Sequence, residues 1–255
     1  MTDGERQAAL DEIGAEVAVC ALCRLHQTRS RAVPGEGTAA TEVIFVGEGP
    51  GFNEDRQGRP FVGQAGAKLD ALLASVLWSR PEVFITNVVK CRPPENRDPE
   101  PDEIAACAPF LTRQLKALDP ALVVTLGRFS MARFNPGARI GQVHGTFRQA
   151  DRESGAPDAL TYAMYHPAAA LHQGSLNDTL FRDMQGVPAA LLEARKLRES
   201  RPQRDEVGYS REEDGPRPSF AAAPEPAAAI EPSSAVSESV ALDAQSGPTD
   251  QLGLF

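Results

Sequence analysis

The sequence has no apolar run approaching the roughly 20 residues that a bilayer-spanning helix needs, which argues against a membrane protein. Its opening, MTDGERQAAL, lacks the basic-then-apolar order of a secretory signal. A soluble cytoplasmic protein is therefore expected. Only four cysteines occur in 255 residues, too few for a disulfide scaffold and in a compartment that would reduce one. No internal repeat is visible. Aromatic residues make up just 6% of the chain, with a single tryptophan, and they all but vanish after residue 200.

Charge is also unevenly supplied. Of 35 acidic and 26 basic residues, 11 and 5 fall from Leu197 onward, so residues 1–196 carry only −3 of the net −9. The acidity of the whole chain thus leaves room for a local basic face on its folded part. Residues 197–250 are rich in Pro, Ala, Ser and Glu, with too little apolar surface to offset the entropy of ordering, and read as a disordered tail.

Within residues 1–196, a single catalytic domain is expected. Four runs read as strands covered on both faces: EVIFVG (42–47), VFITNVVKC (83–91), ALVVTLG (121–127) and TYAMYHP (161–167). Between them lie helical stripes. Leu69, Leu72, Leu73, Val76 and Leu77 form one; Ile104, Cys107, Ala108, Leu111, Leu115 and Leu118 form another. A last helix is expected over about 178–196, interrupted or restarted at Pro188. Alternation of strands and helices predicts an α/β domain with a central, mostly parallel four-stranded sheet flanked by helices.

The four cysteines are Cys20 and Cys23, spaced C-x2-C, then Cys91 at the end of the second strand-like run and Cys107 on the helix after it. One four-thiolate metal site uses them all. Spacing alone does not separate zinc from an iron–sulfur cluster, since both accept four thiolates.

Residues 47–63, GEGPGFNEDRQGRPFVG, hold five glycines and two prolines directly after the first strand. Gly47 and Gly49 let a backbone come close to a ligand, and Glu48 puts a carboxylate beside them. The segment lacks the G-x-x-x-x-G-K-[ST] and G-x-G-x-x-G patterns of nucleotide-phosphate loops. Two other stretches sit at predicted strand ends, where open parallel sheets bind ligands: Asn87 into KCRPPENR, and HPAAALHQ from His166. A carboxylate, an amide and an imidazole are thereby expected on one crevice.

Together GEGPGFNEDRQGRPFVGQAG, TNVVKCRPPENR, the cysteine spacing and HPAAAL resemble the family 4, iron–sulfur uracil-DNA glycosylases, over about residues 20–192. The resemblance implies a monofunctional base-excision-repair hydrolase that removes uracil from DNA. It implies a structural [4Fe–4S] cluster on Cys20, Cys23, Cys91 and Cys107. It assigns the catalytic carboxylate to Glu48, the stacking ring to Phe61, the uracil-reading amide to Asn87 and the third-motif imidazole to His166. Phe52 stands where the family commonly has an acidic or polar residue.

Arg56, Arg59, Lys90, Arg92 and Arg97 share the loops of this site and are candidate phosphate contacts. Leu171 is a candidate wedge into the base stack, with core packing as the competing reading. His144 and His172 read as structural. The terminal QLGLF offers Gln251, Leu252, Leu254 and Phe255 as a docking peptide on a polar tether, similar to peptides that bind the bacterial sliding clamp. A cytoplasmic, nucleoid-associated monomer is expected. Two other functions remain open at this point: a non-catalytic, metal-stabilised DNA-binding adaptor, and a glycosylase for another deaminated base.

Overall fold

The computed structural model describes residues 1–200; the expectations for the acidic tail beyond them and for Gln251, Leu252, Leu254 and Phe255 lie outside the described residues. The chain opens with a helix that the sequence reading did not anticipate, α1 (Asp3–Val19). Thr2 and Glu5 cap it reciprocally, the Glu5 amide donating to Thr2 Oγ1 and the Thr2 amide to Glu5 Oε2. Its buried stripe is thin, only Leu10, Ile13 and Val17, which is why composition hides it.

The sheet follows. A two-residue strand β1 (Glu36–Gly37) leads to β2 (Val43–Gly47), then the short α2 (Phe52–Gln57) and α3 (Gln64–Ser75), then β3 (Phe84–Asn87). Helix α4 (Pro101–Leu118) returns the chain to β4 (Leu122–Leu126). After α5 (Arg128–Phe134) and α6 (Ile140–Val143) come β5 (Phe147–Gln149), β6 (Leu160–Met164), α7 (Ala169–His172) and α8 (Leu176–Glu199). Strand order is β1-β3-β2-β4-β6-β5. The inner four are parallel, as the sequence predicts; an antiparallel strand on each edge extends the sheet to six.

Every residue of β2, β4 and β6 is buried. Successive side chains feed two cores: Val43 and Phe45 pack with α3 and α8, while Ile44 and Val46 pack with α1 and α4. Covering both faces is what makes these strands read as continuous apolar runs.

Three expected boundaries move. The second strand ends at Asn87, not Cys91, because the chain turns away while the Val88 and Val89 amides still bond the Gly47 and Glu48 carbonyls. Helix α3 stops at Ser75: Leu77 takes a left-handed φ of 61° and is 92% exposed, outside the apolar stripe, and Trp78 folds back against the core. Helix α8 runs unbroken through Pro188 and past the expected limit at 196. Leu180, Met184, Val187, Ala190, Leu191 and Ala194 are buried on both sides of that proline, and their burial offsets the roughly 3 kcal/mol that an internal proline costs. Among the described residues, no helix is long and apolar enough to cross a membrane.

Candidate active site

Register brings the first two motifs together. Gly47, the last residue of β2, pairs directly with Asn87, the last residue of β3. A Cβ on Gly47 would lie 2.4 Å from Asn87 Oδ1 and 2.6 Å from Phe61 Cζ. Glycine is therefore required there for close approach rather than for an unusual dihedral.

Phe61 is held in place at some cost. Its φ of 53° is left-handed, a region that a bulky residue occupies only under constraint, at about 1–3 kcal/mol. Arg80 supplies the constraint, donating from Nη2 to the Phe61 carbonyl at 2.6 Å and to that of Pro60 at 3.0 Å. Glu54 supplies more: Oε1 accepts from the Val62 and Gly63 amides at 2.9 and 3.0 Å, and Oε2 from the Gly51 amide at 3.1 Å. One carboxylate thus ties the glycine loop to the turn that carries the ring. Sequence reasoning missed Glu54 and Arg80. The spacing G-x-x-E at the start of α2 is a capping signal that points to Glu54; nothing local marks Arg80.

The third motif follows β6, and His166 stacks on Phe61 with ring centroids 5.5 Å apart. The Ala168 amide donates to His166 Nδ1 at 3.1 Å, so the neutral ring carries its proton on Nε2. Burial lowers the imidazole to about 4, the Glu54 charge opposing it weakly. At neutral pH it is an uncharged donor.

Glu48, Phe61, Asn87 and His166 line one cleft of about 450 Å³, with His172 and Arg97 also on its wall. The convergence expected from strand ends is present. Asn87 is 1% exposed and its Oδ1 has no hydrogen-bond partner among the described residues, an arrangement that costs about 1–3 kcal/mol unless a ligand supplies the missing donor. Burial raises the Glu48 carboxyl; Asp98 raises it further and Arg128 pulls it down. Asp98 and Arg128 pair with each other, a second-motif contact that the sequence did not suggest.

The basic residues divide. Lys90 is no DNA contact: it is 1% exposed, its ammonium donating to Thr86 Oγ1, the Asn87 carbonyl and Gln114 Oε1 at 2.6, 2.8 and 2.7 Å. Desolvation lowers it to about 8. Arg59 pairs with Glu36 at 2.7 Å, and Arg97 with Glu103 at 2.6 Å. Arg56 and Arg92 pair with no carboxylate among the described residues, and both guanidiniums lie over the Phe52 ring. Leu171 is 44% exposed on α7, so core packing does not explain it. His172, read as structural, instead faces the cleft.

All four cysteines line a second, small and almost wholly apolar cavity, between the end of α1, the segment after β3 and α4. The donor set suits a thiolate-bound group. Arg29 Nη1 donates to Cys91 Sγ at 3.0 Å and the Lys90 amide to Cys107 Sγ at 3.2 Å. Burial pushes the Cys91 thiol up and that of Cys107 to about 11, so thiolates here need a bound cation. Among the described residues, no group of three or more His, Cys, Asp or Glu stands in a geometry that would itself hold a metal ion.

Comparison with known proteins agrees with this geometry. The model of the uracil DNA glycosylase superfamily matches residues 34–185. A type-4 uracil-DNA glycosylase of Saccharolobus solfataricus is 46% identical over 188 residues, 71% of this chain and 86% of that protein. One from Archaeoglobus fulgidus is 42% identical over 184 residues, 70% and 92% respectively. A type-5 uracil-DNA glycosylase of Thermus thermophilus is 38% identical over 117 residues, 40% of this chain and 53% of that protein. With its two central motifs on adjacent strand ends and its similarity spread over nearly all of the folded region, the chain belongs to the uracil DNA glycosylase superfamily and, within it, to the type-4 enzymes.

Proposed function

We propose that the chain is a monofunctional uracil-DNA glycosylase of DNA repair, hydrolysing the N-glycosidic bond of deoxyuridine rotated out of the helix and leaving an abasic site. One observation carries the reading: the unpartnered Asn87 Oδ1, buried in a cleft walled by Phe61 and His166. Uracil supplies what that oxygen lacks, an N3–H donor, while Asn87 Nδ2 donates to uracil O4. Cytosine presents an acceptor and a donor in the reverse places, a mismatch of roughly 1–3 kcal/mol or more.

Extruding the base costs a few kcal/mol, and stacking on the Phe61 ring offsets about 1–3 kcal/mol of it. As the C1′–N1 bond breaks, its electron pair passes to the uracil and the sugar becomes cationic. The neutral His166 donates Nε2–H to the charge growing on O2. Glu48 holds water against C1′, faces the cationic sugar and accepts the proton that the water loses.

In the same reading, Cys20, Cys23, Cys91 and Cys107, which line one cavity, would hold a [4Fe–4S] cluster, the group that the type-4 resemblance implies. When bound, the cluster is a structural tie between the end of α1, the segment after Asn87 and α4. Clamp docking through QLGLF, action as a monomer and a place at the nucleoid rest on sequence alone; deletion of 251–255 should abolish clamp affinity.

Incubation of the purified protein with uracil-containing single-stranded DNA should release free uracil and leave alkali-labile abasic sites. Binding without release would favour the DNA-binding adaptor. Release of hypoxanthine in preference to uracil would favour a glycosylase for another deaminated base.

A further inference from the structure

Phe52 begins α2 directly after the glycine loop and is 52% exposed, an aromatic ring left half in water. Its backbone neighbour Gly51 lines the cleft. Two guanidiniums lie over the ring, Arg56 at 5.6 Å and Arg92 at 5.2 Å from its centroid. Arg56 comes from α2 itself, whereas Arg92 comes from the segment after β3, so the ring joins the first motif to the second. Arg92 is fixed further by donating from Nε to Asn96 Oδ1 at 2.7 Å, and Asn96 also lines the cleft.

What distinguishes these two arginines is their charge balance. Arg59 and Arg97, on the same loops, are committed to Glu36 and Glu103. Arg56 and Arg92 have no carboxylate partner among the described residues, and they lie 5.6 and 5.2 Å from the centre of one ring. A cation over an aromatic face gains about 0.5–1 kcal/mol at an exposed site, which orients each guanidinium without neutralising it. Two oriented, unneutralised cations beside a cleft sized for one nucleotide suit an occupant with regularly spaced negative charge.

We infer that Phe52, Arg56 and Arg92 form a phosphate clamp, in which the ring pre-orients two guanidiniums to take backbone phosphates flanking the extruded nucleotide. The inference deepens the glycosylase reading, since its occupant is the substrate strand, but it can be measured without any base release. Binding of the full chain to a uracil-free single strand, followed by fluorescence anisotropy across a salt series, reads it directly. Each phosphate contact on a single strand contributes about 0.7 to the slope of log affinity against log salt.

Arg56→Gln and Arg92→Gln should each flatten that slope by roughly 0.7 and weaken binding several-fold at low salt; the double variant should lose about twice as much. Phe52→Glu should mimic the double variant, because a carboxylate there pairs with both guanidiniums. Arg113→Gln, remote and paired with Glu16 at 2.5 Å, should leave the slope as in the wild type. Unchanged slopes in both arginine variants would overturn the clamp. So would Phe52→Glu weakening the complex with the wild-type slope intact, which would mark the ring as a base-stacking surface instead. Absence of uracil release by the wild type would sink the glycosylase reading while leaving the slopes to judge the clamp.

Discussion

Replacing Gly47 by alanine adds one methyl group at the point where the Asn87 amide and the Phe61 ring meet. That carbon would lie 2.4 Å from Asn87 Oδ1, and 2.6 and 2.8 Å from Phe61 Cζ and Cε2. Ordinary contact begins near 3.4 Å, so the amide oxygen must retreat by about 1 Å and the ring by somewhat less. Asn87 has little freedom to do so, since Lys90 grips its carbonyl at 2.8 Å; Phe61 is held by Arg80. Overpacking of this kind costs about 1–3 kcal/mol of stability, or a fall of roughly 2–12 °C in Tm for a domain of this size. Displacing a positioning group by 1 Å costs on the order of 100-fold in rate. Uracil release by Gly47→Ala should therefore drop about 100-fold while circular dichroism reports a folded protein and affinity for uracil-free DNA is kept. Activity within about twofold of wild type would refute the argument that Gly47 is there to admit Asn87 and Phe61.

Lys90→Met should strip three buried acceptors of their donor and lower stability by about 3 kcal/mol, seen as a reduced urea midpoint; an unchanged midpoint would return Lys90 to the surface role its sequence suggests. The His166 imidazole is held near 4 in the fold against about 6.5 when unfolded. The unfolded chain then binds more protons in that interval, so this histidine's contribution to stability is intact above about pH 6.5 and is lost as pH falls toward 4. His166→Asn should show a shallower acid loss, read by thermal melts at several pH values, and the wild-type rate should show no His166 limb between pH 5 and 8. Protein purified without oxygen should be brown and contain iron and sulfide, and Cys107→Ser should bleach it and lower its Tm; a colourless, zinc-bearing protein would contradict the cluster.

The central strands were legible because burial on both faces leaves an uninterrupted apolar run, and the site was legible because parallel strands deliver their ends to one rim. The edge strands were not. Glu36–Gly37 is too short to carry a pattern, and Phe147–Gln149 is exposed throughout. Lys90 misled for a related reason: a lysine amid prolines and arginines looks like loop charge, and only the fold places Thr86, Asn87 and Gln114 around its ammonium. Leu77 continues the helical period by residue type, yet the chain ends α3 with it in a left-handed turn. Pro188 reads as a break until the stripe on either side of it is seen to be buried. In each case a tertiary contact overrode the local preference.

The decisive quantity is kcat/KM for uracil release from a single-stranded oligonucleotide by Asn87→Ala beside the wild type. The buried Asn87 Oδ1, without a donor among the described residues, predicts a fall of about 5-fold to 150-fold, the equivalent of roughly 1–3 kcal/mol of lost pairing. Equal values for the two proteins would mean that the cleft does not read the base through Asn87.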